Sequence, residues 1–112
     1  MLNPTRHTWF KIILVILLAL SGGFAFAAQD SSVFTYDGKD FIRIQTTLVT
    51  EDGQSAVNMK LDHNNPAYKA LSQKHSYTGD ATIFGHTYEA YYAPLTDSGG
   101  KLTGALFVGN KK

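Results

Sequence analysis

Seven side chains between positions 43 and 92 have the chemistry to hold a small molecule. Arg43 carries a planar guanidinium, which takes a carboxylate through two parallel hydrogen bonds. Tyr68, Tyr77, Tyr88 and Tyr92 each offer an aromatic face with a hydroxyl at its tip, the mixture found in ligand pockets. Lys74 and His75 would add positive charge at the rim of such a pocket. Each has an ordinary alternative. Arg43 would be a solvated strand residue or half of a surface ion pair, for example with Glu89. The tyrosines would be core residues whose hydroxyls reach the surface.

This set binds rather than catalyses. The chain has no H-E-x-x-H, no phosphate loop and no Ser-His-Asp order with a nucleophile elbow. Asp62 and Asp80 are isolated carboxylates with no partner visible in the sequence. A metal needs ligands around one centre, and His75 and His86 stand at opposite ends of one predicted strand, roughly 35 Å apart if it is straight. His63, in a loop, has no partner at helical or strand spacing. There is no cysteine, so neither a disulfide nor a Cys-based metal site is available. No cofactor is expected.

The elements that must position these residues are mostly strands. Tyr77–Phe84, Thr87–Leu95 and Leu102–Val108 are rich in aromatic and β-branched residues. Gly85-His86 and Asp97–Gly100 separate them as turns. Alternation puts Tyr88, Ala90 and Tyr92 on one face of their strand, and Tyr77, Gly79, Ala81 and Ile83 on one face of theirs. Upstream, Val33–Tyr36 is a first strand after a short frayed Ala28–Ser32, and Asp37-Gly38 turns the chain. Phe41–Val49 is a second strand, with Ile42, Ile44, Thr46 and Leu48 on one face and Phe41, Arg43, Gln45 and Thr47 on the other. Glu51–Gln54 is a turn, and Ala56–Leu61 reads either as a short strand or as an extended loop. Asn65-Pro66 opens a short helix that runs to about Gln73, since Asn caps well and Pro suits the first helical position. Tyr68, Leu71 and Ser72 would form its packing side.

The 112 residues suffice for one small domain. Arg6, His7 and Lys11 precede the apolar run Ile12–Leu20. Ser21-Gly22-Gly23 breaks that run, and Ala25-Phe26-Ala27 offers an A-x-A cleavage site. This order of features is a secretory leader, so residues 1–27 are expected to be a signal peptide and 28–112 a single domain, periplasmic or secreted. The alternative, an uncleaved anchor, has an apolar stretch shorter than the roughly 20 residues that span comfortably. Removal of Arg6 and Lys11 from the 10 basic residues leaves 8 against 9 acidic, a net charge of −1. With no basic stripe, nucleic acid is not an expected partner.

The ordered set Tyr77-x-Gly79, Phe84-Gly85, Tyr88, Tyr92, Pro94, Asp97, Gly100, Gly104 and Leu106–Gly109 resembles Cache sensor domains. Asp40–Ile44, Thr46–Leu48, Asp52-Gly53, Ala56-Val57, Leu61-Asp62 and Pro66–Tyr68 continue the likeness. It is nearest to the Cache 3/Cache 2 fusion type of methyl-accepting chemotaxis proteins and covers nearly everything after residue 32. The resemblance implies an α+β fold, a PAS-like five-stranded antiparallel sheet with a short connecting helix. It also implies a sensor or binding role in signal transduction or chemotaxis, towards a small extracytoplasmic molecule such as a short organic carboxylate, and the family pattern has arginine at the position of Arg43. Such domains usually carry a long helix ahead of the first strand, and the leader leaves no room for one here. With apolar residues on both sheet faces, the uncovered face is expected to pair two copies or to dock on a membrane receptor. An interaction protein with no small ligand is therefore the alternative function.

Overall fold

The computed structural model describes residues 29–112; the expected leader and its cleavage position lie outside them. The described chain runs β1 (Gln29–Tyr36), β2 (Phe41–Thr46), α1 (Pro66–Ser72), β3 (Tyr77–Ile83), β4 (His86–Thr96) and β5 (Leu102–Lys111). The strands form one antiparallel sheet in the order β2-β1-β5-β4-β3. With the short helix this is a PAS-like α+β architecture.

Two tight turns build the β3–β4–β5 meander. Phe84 and Gly85 both have positive φ, at 49° and 81°, the backbone of a two-residue hairpin turn whose twist matches its strands. The turn thus lies one residue earlier than Gly85-His86. At the β4–β5 connection the Asp97 carboxylate accepts from the backbone N–H of Gly99 and Lys101. β4 and β5 are longer than expected because their pairing continues to Tyr88↔Lys111.

The N-terminal end of the domain differs from the sequence reading. Gln29–Ser32 is not frayed but is the first half of β1, paired from Gln29↔Asn110 to Ser32↔Phe107. Hydroxyls tie this half to β2, with Ser32 Oγ 2.6 Å from Thr46 Oγ1 and the Ser31 N–H donating to Thr47 Oγ1. β2 ends at Thr46, short of Val49. The chain then makes a small hairpin, bridged at Val49↔Ser55, with the Gly53 N–H on the Thr50 carbonyl. Residues 57–61 are the extended loop. They return along the outer edge of β2, Asn58 N–H to Arg43 O, Arg43 N–H to Met59 O and Leu61 N–H to Phe41 O.

One sheet face holds the main core, with Phe34, Phe41, Ile83, Tyr88, Tyr92 and Phe107 among its members. The returning segment adds Leu48, Ala56 and Leu61. α1 lies over this face. Asn65 caps it through Oδ1 to the Ala67 N–H, Pro66 is its first residue, and Ala67 and Leu71 are its buried side. Ala67 replaces Ser72 in the expected stripe; Tyr68 is partly buried and Ser72 is exposed. On the opposite face Val33, Leu95 and Leu106 form a smaller buried cluster, with Ile44 and Tyr91 exposed. Gly104 lets β5 approach β1, since a Cβ there would sit 2.2 Å from the Phe34 carbonyl oxygen.

Candidate functional site

The β2 face carrying Phe41 and Arg43 is the inward one. Arg43 pairs opposite Phe34 in the same register that sets Phe41 opposite Tyr36, so two-residue alternation from buried Phe41 sends the guanidinium into the core instead of the solvent. Arg43 is 2% exposed. Its guanidinium carbon lies 4.9 Å from the Phe34 ring centroid and 5.0 Å from that of Phe84. The left-handed turn at Phe84 delivers the second ring. Two aromatic faces attract a desolvated cation but leave its N–H donors in search of acceptors. Arg43 Nη1 reaches the carbonyls of Met59 and Lys60 at 3.4 Å each. Arg43 Nε has no hydrogen-bond partner.

No carboxylate among the described residues forms an ion pair with Arg43. The surface pairing with Glu89 does not form; Glu89 is exposed on the other side of β4. Burial lowers the Arg43 pKa, as expected for a cation taken out of water, yet an arginine stays charged. The protein therefore holds a buried positive charge with one orphaned donor.

That charge borders a cavity of about 90 Å³, lined also by Lys60, Asp62, Asn65, Thr82, Ile83 and Phe84. Asn65 has two roles. Its Oδ1 caps α1, and its Nδ2 donates to the Tyr92 hydroxyl at 3.2 Å. Tyr92 is fully buried among Phe34, Phe107 and Tyr77. Burial pushes its hydroxyl up to about 12, against a smaller downward pull from the Asn65 hydrogen bond and from the Arg43 charge. An outer groove of about 430 Å³ adjoins the cavity, between the loop at 62–66 and β3, and shares Asp62, Asn65 and Thr82 with it.

The seven residues singled out in the sequence do not converge. Arg43 and Tyr92 share the neighbourhood of the cavity. The Tyr77 hydroxyl donates to the Asp80 carbonyl at 2.6 Å, and that of Tyr68 to the Lys39 carbonyl at 2.6 Å. Tyr88 lies four residues along β4 from Tyr92 and donates to Asp30 Oδ2 at 3.0 Å. Burial and that carboxylate push its hydroxyl up to about 12. Tyr88 borders a separate groove with Thr47, Glu51, His86 and Lys111. Lys74 and His75 are exposed in the connection after α1 and line none of these three cavities.

Other residues near the site had no signal in the sequence. His63 finds a partner across the fold, with Nε2 2.7 Å from Asp40 Oδ1 and its ring stacked on Tyr68 at 4.0 Å. Lys60 Nζ also approaches Asp40, at 3.4 Å. The His63 hydrogen bond, followed by Lys60, holds the Asp40 carboxyl below its usual range. These contacts fasten the segment that supplies the Arg43 carbonyl partners. Of the cavity's lining, Asn65 was legible as a helix cap; Asp62, Thr82 and Phe84 came together only through folding.

A five-stranded antiparallel sheet with one short helix over its inner face makes a PAS-like domain, and the small cavity lies beside the helix cap. The Cache 3/Cache 2 fusion domain model matches residues 26–112, and the chain belongs to that family. No curated protein and no solved structure matches it. Cache domains are extracytoplasmic sensor modules of signalling proteins, generally binding small ligands rather than catalysing reactions. Among the described residues no helix is long and apolar enough to cross a membrane.

Proposed function

We propose that this domain is an exported sensor or binding subunit that takes a small molecule through a carboxylate at Arg43. One observation carries the reading: a guanidinium 2% exposed, with an unpartnered Nε and no carboxylate paired to it, lines a cavity. Leaving a buried polar group unmade costs roughly 1–3 kcal/mol, more when it is charged. A ligand carboxylate in the cavity would recover that cost. The test is calorimetric titration with acetate, propionate and pyruvate on the purified protein and on Arg43→Lys. Binding that Arg43→Lys weakens at least tenfold supports the reading, because lysine lacks the two-pronged geometry. Equal affinity in the two proteins refutes it. Export is tested by intact mass: the protein from its native host should begin at Ala28 or one residue later.

A second reading rests on the exposure of Ile44, Val57 and Met59 around the β2 edge, apolar surface of the kind that pairs two copies or meets a receptor. Light scattering at micromolar concentration separates them. A ligand-independent dimer broken by Ile44→Asp supports the interaction role, and a monomer removes self-association.

A further inference from the structure

The two edges of the sheet differ. Along β2 the returning segment occupies the edge with its own backbone hydrogen bonds. Along β3, the other edge, no described strand follows. The positive-φ turn at Phe84 and Gly85 makes Ile83 and His86 the closing pair of the hairpin, which exchange their hydrogen bonds. Pairing alternates from there. Ala81 and Gly79 also face β4, while Thr82, Asp80 and Thr78 turn their N–H and C=O groups outward. Two contacts agree with this phase. The Lys112 N–H donates to the Thr87 carbonyl at 2.9 Å, so the residue after His86 faces β5. The Tyr77 hydroxyl donates to the Asp80 carbonyl at 2.6 Å, so that carbonyl points away from β4.

Tyr77 thus caps one outward group. Among the described residues nothing bonds to the Asp80 N–H or to either backbone group of Thr82. These groups line the groove of about 430 Å³ between β3 and the 62–66 loop. An open edge of this kind is a template for another strand. Charge decides which strand suits it. Asp62 and Asp80 line the groove, and no cation does. Lys112 Nζ reaches both Asp80 oxygens, at 3.2 and 3.3 Å, so a lysine on a strand of this sheet can sit on that carboxylate. Both side chains of that pair are more than half exposed, so it is weak and yields to a competitor. A second copy of β3 would bring another Asp80 to the same edge. We propose that the open edge of β3 takes an extended, basic peptide segment of a protein partner as an added strand. Residues directly opposite in neighbouring strands share a face. The partner's lysine or arginine would therefore stand opposite Asp80 on the outer face, and the alternate residues would turn into the groove against Pro66 and Ala81. This site is independent of the carboxylate reading of Arg43.

The probe is a capped, fluorescent peptide that alternates lysine and valine, titrated with the purified protein by anisotropy. Its glutamate–valine counterpart should bind at least about tenfold more weakly. N-methylation of one alternate set of peptide amides should abolish binding and methylation of the other set should not, since only one set faces β3. Hydrogen exchange followed by NMR should show the Thr82 and Asp80 amides slowed when the lysine peptide is added. Thr82→Pro removes an outward N–H and no ladder bond. It should keep the circular dichroism spectrum and lose the peptide. Asp80→Asn should narrow the preference for lysine over glutamate. No binding of the lysine peptide, equal loss from both methylated sets, or equal affinity for the two peptides would overturn the proposal. So would self-association that Thr82→Pro removes, which would assign the edge to a second copy. The methylated peptides act on the unaltered protein, so they decide the matter even where Thr82→Pro fails to fold.

Discussion

Replacing Arg43 with methionine should stabilise the ligand-free protein and abolish carboxylate binding. Taking a guanidinium out of water costs several kcal/mol, roughly 4 for a single buried ion. The two ring contacts, at 4.9 and 5.0 Å, return about 1 kcal/mol each. The two hydrogen bonds of 3.4 Å are at the long limit and return about 0.5 kcal/mol each. The balance stands about 1 kcal/mol against the arginine, in line with buried charges that apolar residues of similar volume replace without loss. Methionine is unbranched and adaptable enough to lie between Phe34 and Phe84, where its sulfur favours aromatic neighbours. For a domain of this size, about 1 kcal/mol raises Tm by roughly 4–8 °C. Thermal unfolding followed by circular dichroism, beside urea titration for the free energy, measures the change. A Tm that falls, or carboxylate binding that persists in Arg43→Met, would show that the guanidinium holds the fold together instead of waiting for a ligand.

Asn65→Ala should cost about 2 kcal/mol in urea unfolding, combining loss of a helix cap with loss of the only described hydrogen bond to the buried Tyr92 hydroxyl; a cost below about 0.5 kcal/mol would refute the double role. Gly104→Ala should destabilise by about 2–3 kcal/mol, because its Cβ meets the Phe34 carbonyl at 2.2 Å and β1 must move; an unchanged Tm would contradict that contact. Asp37 and Asp40 both have lowered pKa values, Asp37 through the backbone N–H groups of Asp40 and Lys39, and Asp40 through His63. A carboxylate with a depressed folded pKa contributes stability that is complete above its unfolded value of about 3.9 and is lost as pH falls through the folded value. Asp40→Asn should therefore melt below wild type at pH 6, with the gap beginning to close only below about pH 4 and vanishing below the lowered folded value; a gap that stays constant with pH would exclude the linkage.

The meander, the helix start and the family were legible in the order of the residues. Alternation in Tyr77–Ile83 and His86–Thr96 marks two faces because strand side chains have a period of two. Asn65-Pro66 and Asp97–Gly100 act through local hydrogen bonds and fixed dihedrals, which need no distant partner. Alternation cannot say which face becomes the core, and at Phe41–Thr46 both faces carry apolar residues. Tertiary structure decided that. The helix and the returning segment cover the face of Phe41, which puts Arg43 inside with it and leaves Ile44 outside. The packing side of α1 was settled in the same way, since Ala67 and Leu71 meet the sheet while Ser72 does not. The cavity is less local still. Its lining comes from β2, the returning segment, the helix cap and the β3–β4 turn, 41 residues apart from Arg43 to Phe84. The isolated carboxylate of Asp62, the turn residue Phe84 and the strand arginine each look ordinary in the chain. They become a site only where folding sets a desolvated charge beside space without giving it a counterion.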